Sequence, residues 1–264
     1  MTSGIRLSVT ILGSGTSTGV PTIGCDCEVC TGSYTKNKRS RASALITRED
    51  TGDHIVIDTT PEFRIQMLKA GVRRLGHVLY THTHADHSHG FDDLRAFYFH
   101  SKKPVRCYMP AEYIPEFKDR FSYAFTDTGY MGTTPQVDLV PVPEKNFEVL
   151  GLDIEPVRLP HGSVQTTGFR IGSFAYCTDF KGFPEETLQK WRGKVHTMVA
   201  SGVHFKNHPT HNNVQETVKL FEDLEVKRGF ITHLAHQVCY ERDSEKLPER
   251  ASFAYDGLRF SVTT

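Results

Sequence analysis

The chain has 264 residues, 38% of them hydrophobic, and its Lys+Arg and Asp+Glu counts are both 31, so its formal charge is zero. That length and apolar content can furnish a two-sheet core, whereas a neutral chain without a long basic run is poorly suited to affinity built on many nucleic-acid phosphates. The N-terminal residues pass straight into a strand, with no charged-then-apolar leader and no run of about eighteen apolar residues, so a cytoplasmic protein away from membranes is expected. Three of the six cysteines are scattered and three are adjacent, a usage that fits reduced thiols better than a disulfide framework.

Leu7 to Leu12 reads as the first strand. The turn after it, Gly13-Ser14-Gly15-Thr16-Ser17-Thr18-Gly19, lacks the Gly-Lys-Ser/Thr ending of a phosphate loop and is read as a connection running beside the active site. In Gly24-Cys25-Asp26-Cys27-Glu28-Val29-Cys30 the thiols stand at i, i+2 and i+5, a knuckle spacing that can wrap a tetrahedral zinc with one ligand still to be found. Ala44 to Thr47, Ile55 to Asp58 and Val78 to Thr81 join the first strand in one sheet. Between them Pro61 to Ala70 is a helix, with proline in its first turn, Phe63, Met67 and Leu68 on one face and Gly71 as its stop.

The run Thr81-His82-Thr83-His84-Ala85-Asp86-His87 follows the apolar strand His77 to Tyr80. A tight turn there aims four ligating groups at one spot, and imidazoles with a carboxylate suit Zn²⁺, Mn²⁺ or Fe²⁺ rather than Ca²⁺ or Mg²⁺. Phe91 to Arg95 then opens a helix; the Arg95 guanidinium, one turn beyond the metal loop, can hold a substrate phosphate or pair with a carboxylate. After Val105 to Met109 and a helix from Ala111 to Phe121 comes Ser122 to Gln136, rich in Tyr, Phe, Thr and Gly, where Tyr123 and Phe125 are expected to form a lid over the substrate and Tyr130 adds another ring.

A second sheet is expected from Val137 to Val142, Phe147 to Val149, Ile154 to Leu159, Gly168 to Ile171 and Phe174 to Cys177, with helices over Pro184 to Trp191 and Val214 to Leu224. A dinuclear site needs about three more ligands. Three strand-like runs end in one each: His161 after Leu159-Pro160, Asp179 after Cys177-Thr178, and His233 after Ile231-Thr232. Before the helix at Val214, a segment with His204, His208 and His211 ends in Asn212-Asn213, a helix start able to receive an anion.

With these residues in this order, the chain resembles the metallo-β-lactamase-fold hydrolases. The resemblance implies an α/β fold, an αββα four-layer sandwich formed as one domain over 1–264 with an N-terminal zinc knuckle. It further implies that His82, His84 and His161 hold one metal, that Asp86, His87 and His233 hold a second, and that Asp179 bridges them. The combination of Gly-Cys-x-Cys-x-x-Cys with the later Thr232-His233-x-x-His236 resembles the phosphoribosyl cyclic phosphodiesterases of phosphonate breakdown and their relatives. That likeness makes His236 the fourth ligand of Cys25, Cys27 and Cys30, with Cys239 as the runner-up. It has Asp58 hold a ligand histidine through its second nitrogen and sets His211, or else His208, against the substrate phosphate.

The implied activity is hydrolysis of small or cyclic phosphodiesters, phosphoribosyl cyclic phosphate or nucleotide-like, by a metal-bridged hydroxide, with Asp179 and His211 as catalytic groups. Its cofactors would be two divalent catalytic metals, Zn or Mn or else Fe, and one structural Zn. A small-molecule phosphodiester is the expected partner, without membrane or nucleic acid, and a homodimer is left open. The rival readings are a transfer-RNA 3′-end nuclease, an iron-dependent oxidative enzyme resembling the pyrroloquinoline quinone biosynthesis protein B, and a non-catalytic binding module.

Overall fold

Short runs of β-branched and aromatic residues produce fourteen strands among the described residues, 4–126 and 133–264 of the computed structural model. Numbered along the chain they are β1 (Arg6–Gly13), β2 (Ser43–Arg48), β3 (His54–Ile57), β4 (His77–Leu79), β5 (Val105–Pro110), β6 (Val137–Val142), β7 (Phe147–Val149), β8 (Leu152–His161), β9 (Val164–Ile171), β10 (Phe174–Cys177), β11 (Thr197–Ser201), β12 (Arg228–Thr232), β13 (Ala251–Phe253) and β14 (Arg259–Thr263). They form two seven-stranded sheets, β14-β1-β2-β3-β4-β5-β6 and β13-β12-β11-β10-β9-β8-β7.

Alternation of side chains along each strand sorts the core into layers. Leu7, Val9 and Ile11 of β1 and Ile55 and Ile57 of β3 meet Ile154, Phe169, Phe174 and Tyr176 between the sheets. Val56 of β3 and Val78 of β4 turn the other way, onto Phe63, Met67, Phe91 and Phe117. Behind the second sheet, Ala175, Cys177, Met198 and Ile231 pack on Trp191, Val214 and Phe221. Helix, sheet, sheet, helix is therefore the order of the layers, as expected. Among the described residues no helix is long and apolar enough to cross a membrane.

Four strand assignments differ from the sequence reading, one of them the short β13 at the edge of the second sheet, which it did not anticipate. Val137–Val142 belongs to the first sheet, not the second: it pairs in parallel with β5 from Val105↔Val137 to Pro110↔Val142. Strand propensity marks the segment but not its partner, and this pairing is reached only through the long connection after β5. The chain's last strand, β14, returns to pair antiparallel with β1, from Arg6↔Thr263 to Thr10↔Arg259. Fully buried β11, with no polar alternation, gave no period to read. The helix after β3 runs over Phe63–Ala70, and Gly71 ends it at φ 70, as its lack of a side chain permits. Over Ala111 to Phe121 the helix divides into a 3₁₀ turn, Ala111–Tyr113, and an α-helix, Ile114–Arg120.

Candidate metal centre

The carboxyl ends of β3, β4, β8, β10 and β12 meet at one rim of the sandwich, and each delivers polar side chains to it. At three of these ends the chain turns through the left-handed region: Asp58 has φ 63, Asp179 φ 54 and His233 φ 57. Asp and His tolerate that conformation better than most residues, though each such turn carries some strain. The metal loop after β4 packs down onto the end of β3 at Gly90, where a Cβ would stand 2.1 Å from the Thr60 carbonyl oxygen.

Two groups of ligand atoms result, each with all members within 4.8 Å of one another: His82, His84 and His161 in one, and Asp86, His87, Asp179 and His233 in the other. The histidine rings are fixed from behind. Asp58, fully buried, accepts from the Thr81 amide at 2.8 Å and the Thr81 hydroxyl at 2.8 Å, and lies 2.7 Å from His87 Nδ1. His161 Nδ1 lies 3.0 Å from the Thr210 carbonyl oxygen, and His82 Nδ1 3.0 Å from the Thr81 hydroxyl. Each ring is thereby left with Nε2 for the site, the arrangement by which carboxylates and carbonyls orient metal-binding imidazoles.

His87 Nε2 lies 2.5 Å from Asp179 Oδ2, and His233 Nε2 lies 2.9 Å from Asp179 Oδ1. Yet His82 Nε2, His87 Nε2, Asp179 Oδ1 and His233 Nε2 are buried without a hydrogen-bonding partner. Buried polar atoms are normally satisfied, so donor atoms that converge without bonding one another fit a cation held between them. The charge balance points the same way. Burial alone would depress His233, but Asp179 and Asp86 outweigh it and raise it to about 9. His87 is also pushed up, burial being overcome by Asp86, Asp179 and Asp58. These carboxylates draw protons onto imidazoles where a divalent cation would serve instead.

The rim opens into a cleft of about 290 Å³ lined by Ser17, His84, Asp86, His161, Gly162, Ser163, Val164, Asp179, Thr210, His211 and His233. His211 is the histidine of its segment that reaches the cleft: its Nδ1 lies 3.2 Å from Asp179 Oδ1 and its ring stacks on His233 with centroids 5.1 Å apart. His208 stands behind it, 4.8 Å from the His211 ring, and accepts from the Thr210 amide. Arg95 is spent on Asp92 and the Thr133 carbonyl. Tyr123 donates to Asp92 at 2.8 Å, and Phe125 stacks on Phe91 at 5.9 Å, as part of the core beneath. Thus Arg95, His208, Tyr123 and Phe125, expected at the substrate, do not line this cleft, and Tyr130 lies outside the described residues. Sequence reasoning missed Ser163, Val164 and Thr210; Gly162, in the left-handed turn at φ 60 beside His161, was the available signal for the first two.

A separate cluster joins Cys25, Cys27 and Cys30 to His236, whose Nδ1 lies 3.1, 3.4 and 3.7 Å from the three sulfurs in turn. Cys239 is outside it, buried, with Asn37 donating to its sulfur at 3.7 Å. A backbone hydrogen bond from Cys30, joined by Cys25 and His236, overcomes burial and lowers Cys27 to about 6, while burial raises Cys30. Three thiols and an imidazole with their donor atoms within 4.8 Å of one another match the ligand set of a closed tetrahedral zinc site.

The profile of the family described as the beta-lactamase superfamily domain matches residues 53–234. A solved structure described as a new diphosphatase from the PhnP family superposes with a TM-score of 0.90 at 35% identity, covering 98% of this chain and 98% of that one. Zn²⁺-bound PqqB from Methylobacterium extorquens superposes at 0.76 with 19% identity, covering 96% of this chain and 99% of its own. The short form of human tRNase Z gives 0.68 with 16% identity, covering 97% and 100%, so these two share the fold. An octanoyltransferase of Porphyromonas gingivalis is 36% identical over 251 residues, 94% of this chain and 50% of that protein. The chain therefore spans about half the length of that curated relative.

Proposed function

Because the chain belongs to the beta-lactamase superfamily, and within it to the PhnP family, we propose that this metallo-β-lactamase-fold hydrolase is a dinuclear enzyme that cleaves small phosphodiesters. The observation that carries the reading is the convergence of buried donor atoms of His82, His87, Asp179 and His233 without hydrogen-bonding partners, beside an open cleft that Asp179 and His233 themselves line. His82, His84 and His161 would hold one cation and Asp86, His87 and His233 the other, with Asp179 between them. Two such cations, when bound, supply Lewis acidity to the phosphoryl oxygens and lower the pKa of water.

The chain's own groups supply the rest. Asp58 keeps His87 Nδ1 occupied and the ring fixed. With Nδ1 turned to Asp179, His211 has Nε2 for a substrate oxygen or a leaving group. Ser17, Ser163 and Thr210 offer hydroxyls along the cleft walls, while Val164 gives one apolar contact. A cleft of about 290 Å³ suits a small molecule better than a polymer. Cys25, Cys27, Cys30 and His236 would hold a structural zinc.

The likeness to a diphosphatase favours a second substrate class, the disubstituted diphosphates. Each phosphorus there carries two bridging oxygens, as in a phosphodiester, so the same cleft chemistry applies. The octanoyl transfer named for the Porphyromonas protein stays with that longer protein. The test is turnover by Mn²⁺- or Zn²⁺-loaded protein of bis-p-nitrophenyl phosphate, a cyclic ribose phosphate and a dinucleoside diphosphate. Turnover of at least one, abolished by chelation and restored by metal, is expected. Inertness of fully loaded protein toward all three would refute the proposal.

A further inference from the structure

Behind the Cys/His cluster sits a buried charge that the proposed chemistry leaves unused. Arg39 is 2% exposed. Its guanidinium donates to neutral oxygens: Nη1 to the Ala235 carbonyl at 3.1 Å, and Nη2 to the Val238 carbonyl at 2.9 Å and the Asn37 side-chain oxygen at 3.1 Å. Nε has no partner, and no carboxylate among the described residues pairs with this side chain. Burial lowers Arg39 to about 10, so it remains a cation at neutral pH. A buried cation with no carboxylate in contact is costly, and the groups whose charge acts on it are Asp256 foremost, then Cys239, Asp243 and Cys30. The nearby acids are engaged elsewhere: Asp256 with the amides and hydroxyls of Ser14 and Ser40, Asp243 with the Cys239 amide, Arg242 and Lys246.

A loaded thiolate cluster would be a further anion for this cation, and Cys30 is already among the groups that act on it. A divalent zinc bound by three thiolates and a neutral imidazole carries a net negative charge. Arg39 is also tied to the knuckle by its backbone, exchanging hydrogen bonds with Val20 at 2.7 and 2.8 Å, and Val20 packs with Val29 and Cys30. Its two-pronged grip on Ala235 and Val238 brackets His236, in the turn that His233 begins.

We propose that Arg39 is a positioning residue, the buried counter-cation of a zinc-loaded Cys25/Cys27/Cys30/His236 site and the clamp that fixes the turn shared by His236 and His233. The inference rests on the reading of that cluster as a zinc site. Its test uses the whole chain with Co²⁺ in the thiolate cluster, following the decay of thiolate-to-cobalt charge-transfer absorption under EDTA, with kcat and KM on bis-p-nitrophenyl phosphate alongside. Arg39→Gln, which removes the charge, should release cobalt about tenfold faster or more and lower kcat with KM held. Arg39→Lys, which keeps the charge but not the fork, should retain cobalt close to the wild-type rate while kcat stays reduced. Wild-type retention in the Gln variant overturns the proposal, as does release from the Lys variant about tenfold faster than wild type; the latter decides alone if the Gln variant does not fold. Absence of the charge-transfer band in the wild-type protein would remove the zinc reading and this inference with it, whereas a normal band insensitive to Arg39 removes the inference only.

Discussion

His233 and His236 stand in one turn, but the clusters they join are built differently. His87, in the four-residue helix Ala85–Ser88, and His161, the last residue of β8, face the rim fully or nearly buried, with Nδ1 already occupied by a carboxylate or carbonyl. The thiols stand on a loop with a four-residue helix, Glu28–Thr31, which has no side-chain cap, and two of the three are partly exposed. Next to this loop Ile23 is 99% exposed. The rim is thus a cavity shaped by the core before any cation enters, while the knuckle is held by less: its own ligands, the Val20–Arg39 bridge and a small apolar cluster with Val29. A site of the first kind tolerates loss of a ligand; one of the second kind couples ligation to folding.

The sharpest way to break that contrast is Asp179→Ala. It removes the carboxylate between His87 and His233 and should lower kcat/KM on a phosphodiester by about three orders of magnitude, roughly 4 kcal/mol. The fold should survive, with near-wild-type circular dichroism and zinc still in the thiol cluster; collapse of the fold would mean that the rim is no more pre-formed than the knuckle. Cys27→Ser should do the converse, lowering bound zinc and stability by about 2–4 kcal/mol, with activity falling as a consequence. Unchanged metal content and melting temperature would remove the zinc reading of the knuckle.

The smallest effect concerns Asp243, whose carboxylate accepts from the Cys239 amide at 2.8 Å just beyond His236. Burial would raise it, but Arg242, Lys246 and the Cys239 amide outweigh that and hold it at about 2, below the usual 3.8. A depressed folded pKa means that the stabilisation is present above about pH 3.8 and is lost as pH falls through about 2. The stability gap between wild type and Asp243→Asn, from thermal unfolding, should therefore close as pH is lowered across that window. A gap independent of pH would show that the brace acts through shape and not charge.

Much of the rim was legible because its chemistry is written locally. His82 to His87 lie in one turn, and His161, Asp179 and His233 each follow an apolar run that had to be a strand. The knuckle was legible as a spacing, but the choice of His236 over Cys239 came from a resemblance, and only the distances to the three sulfurs separate them. What escaped the sequence depends on partners far along the chain. Val137–Val142 looks like a strand of either sheet, since its parallel neighbour β5 leaves no local mark. Phe125 reads as a loop aromatic until Phe91 is found beneath it, and Arg39 draws no reading at all, since only the turn at Ala235, far along the chain, buries it.

The left-handed turns at Asp58, Asp179 and His233 set a limit on how this protein can be improved. Such a conformation costs a non-glycine residue about 1–2 kcal/mol, and glycine at any of the three would relieve it while deleting a side chain from the rim. At Asp58 the relief would be offset by the Thr81 and His87 donors left without their acceptor, so a selection for heat resistance alone would press first on Asp179 and His233 and return an inert protein. Selection that keeps turnover in the screen must seek its stability elsewhere, leaving these three bends as they are.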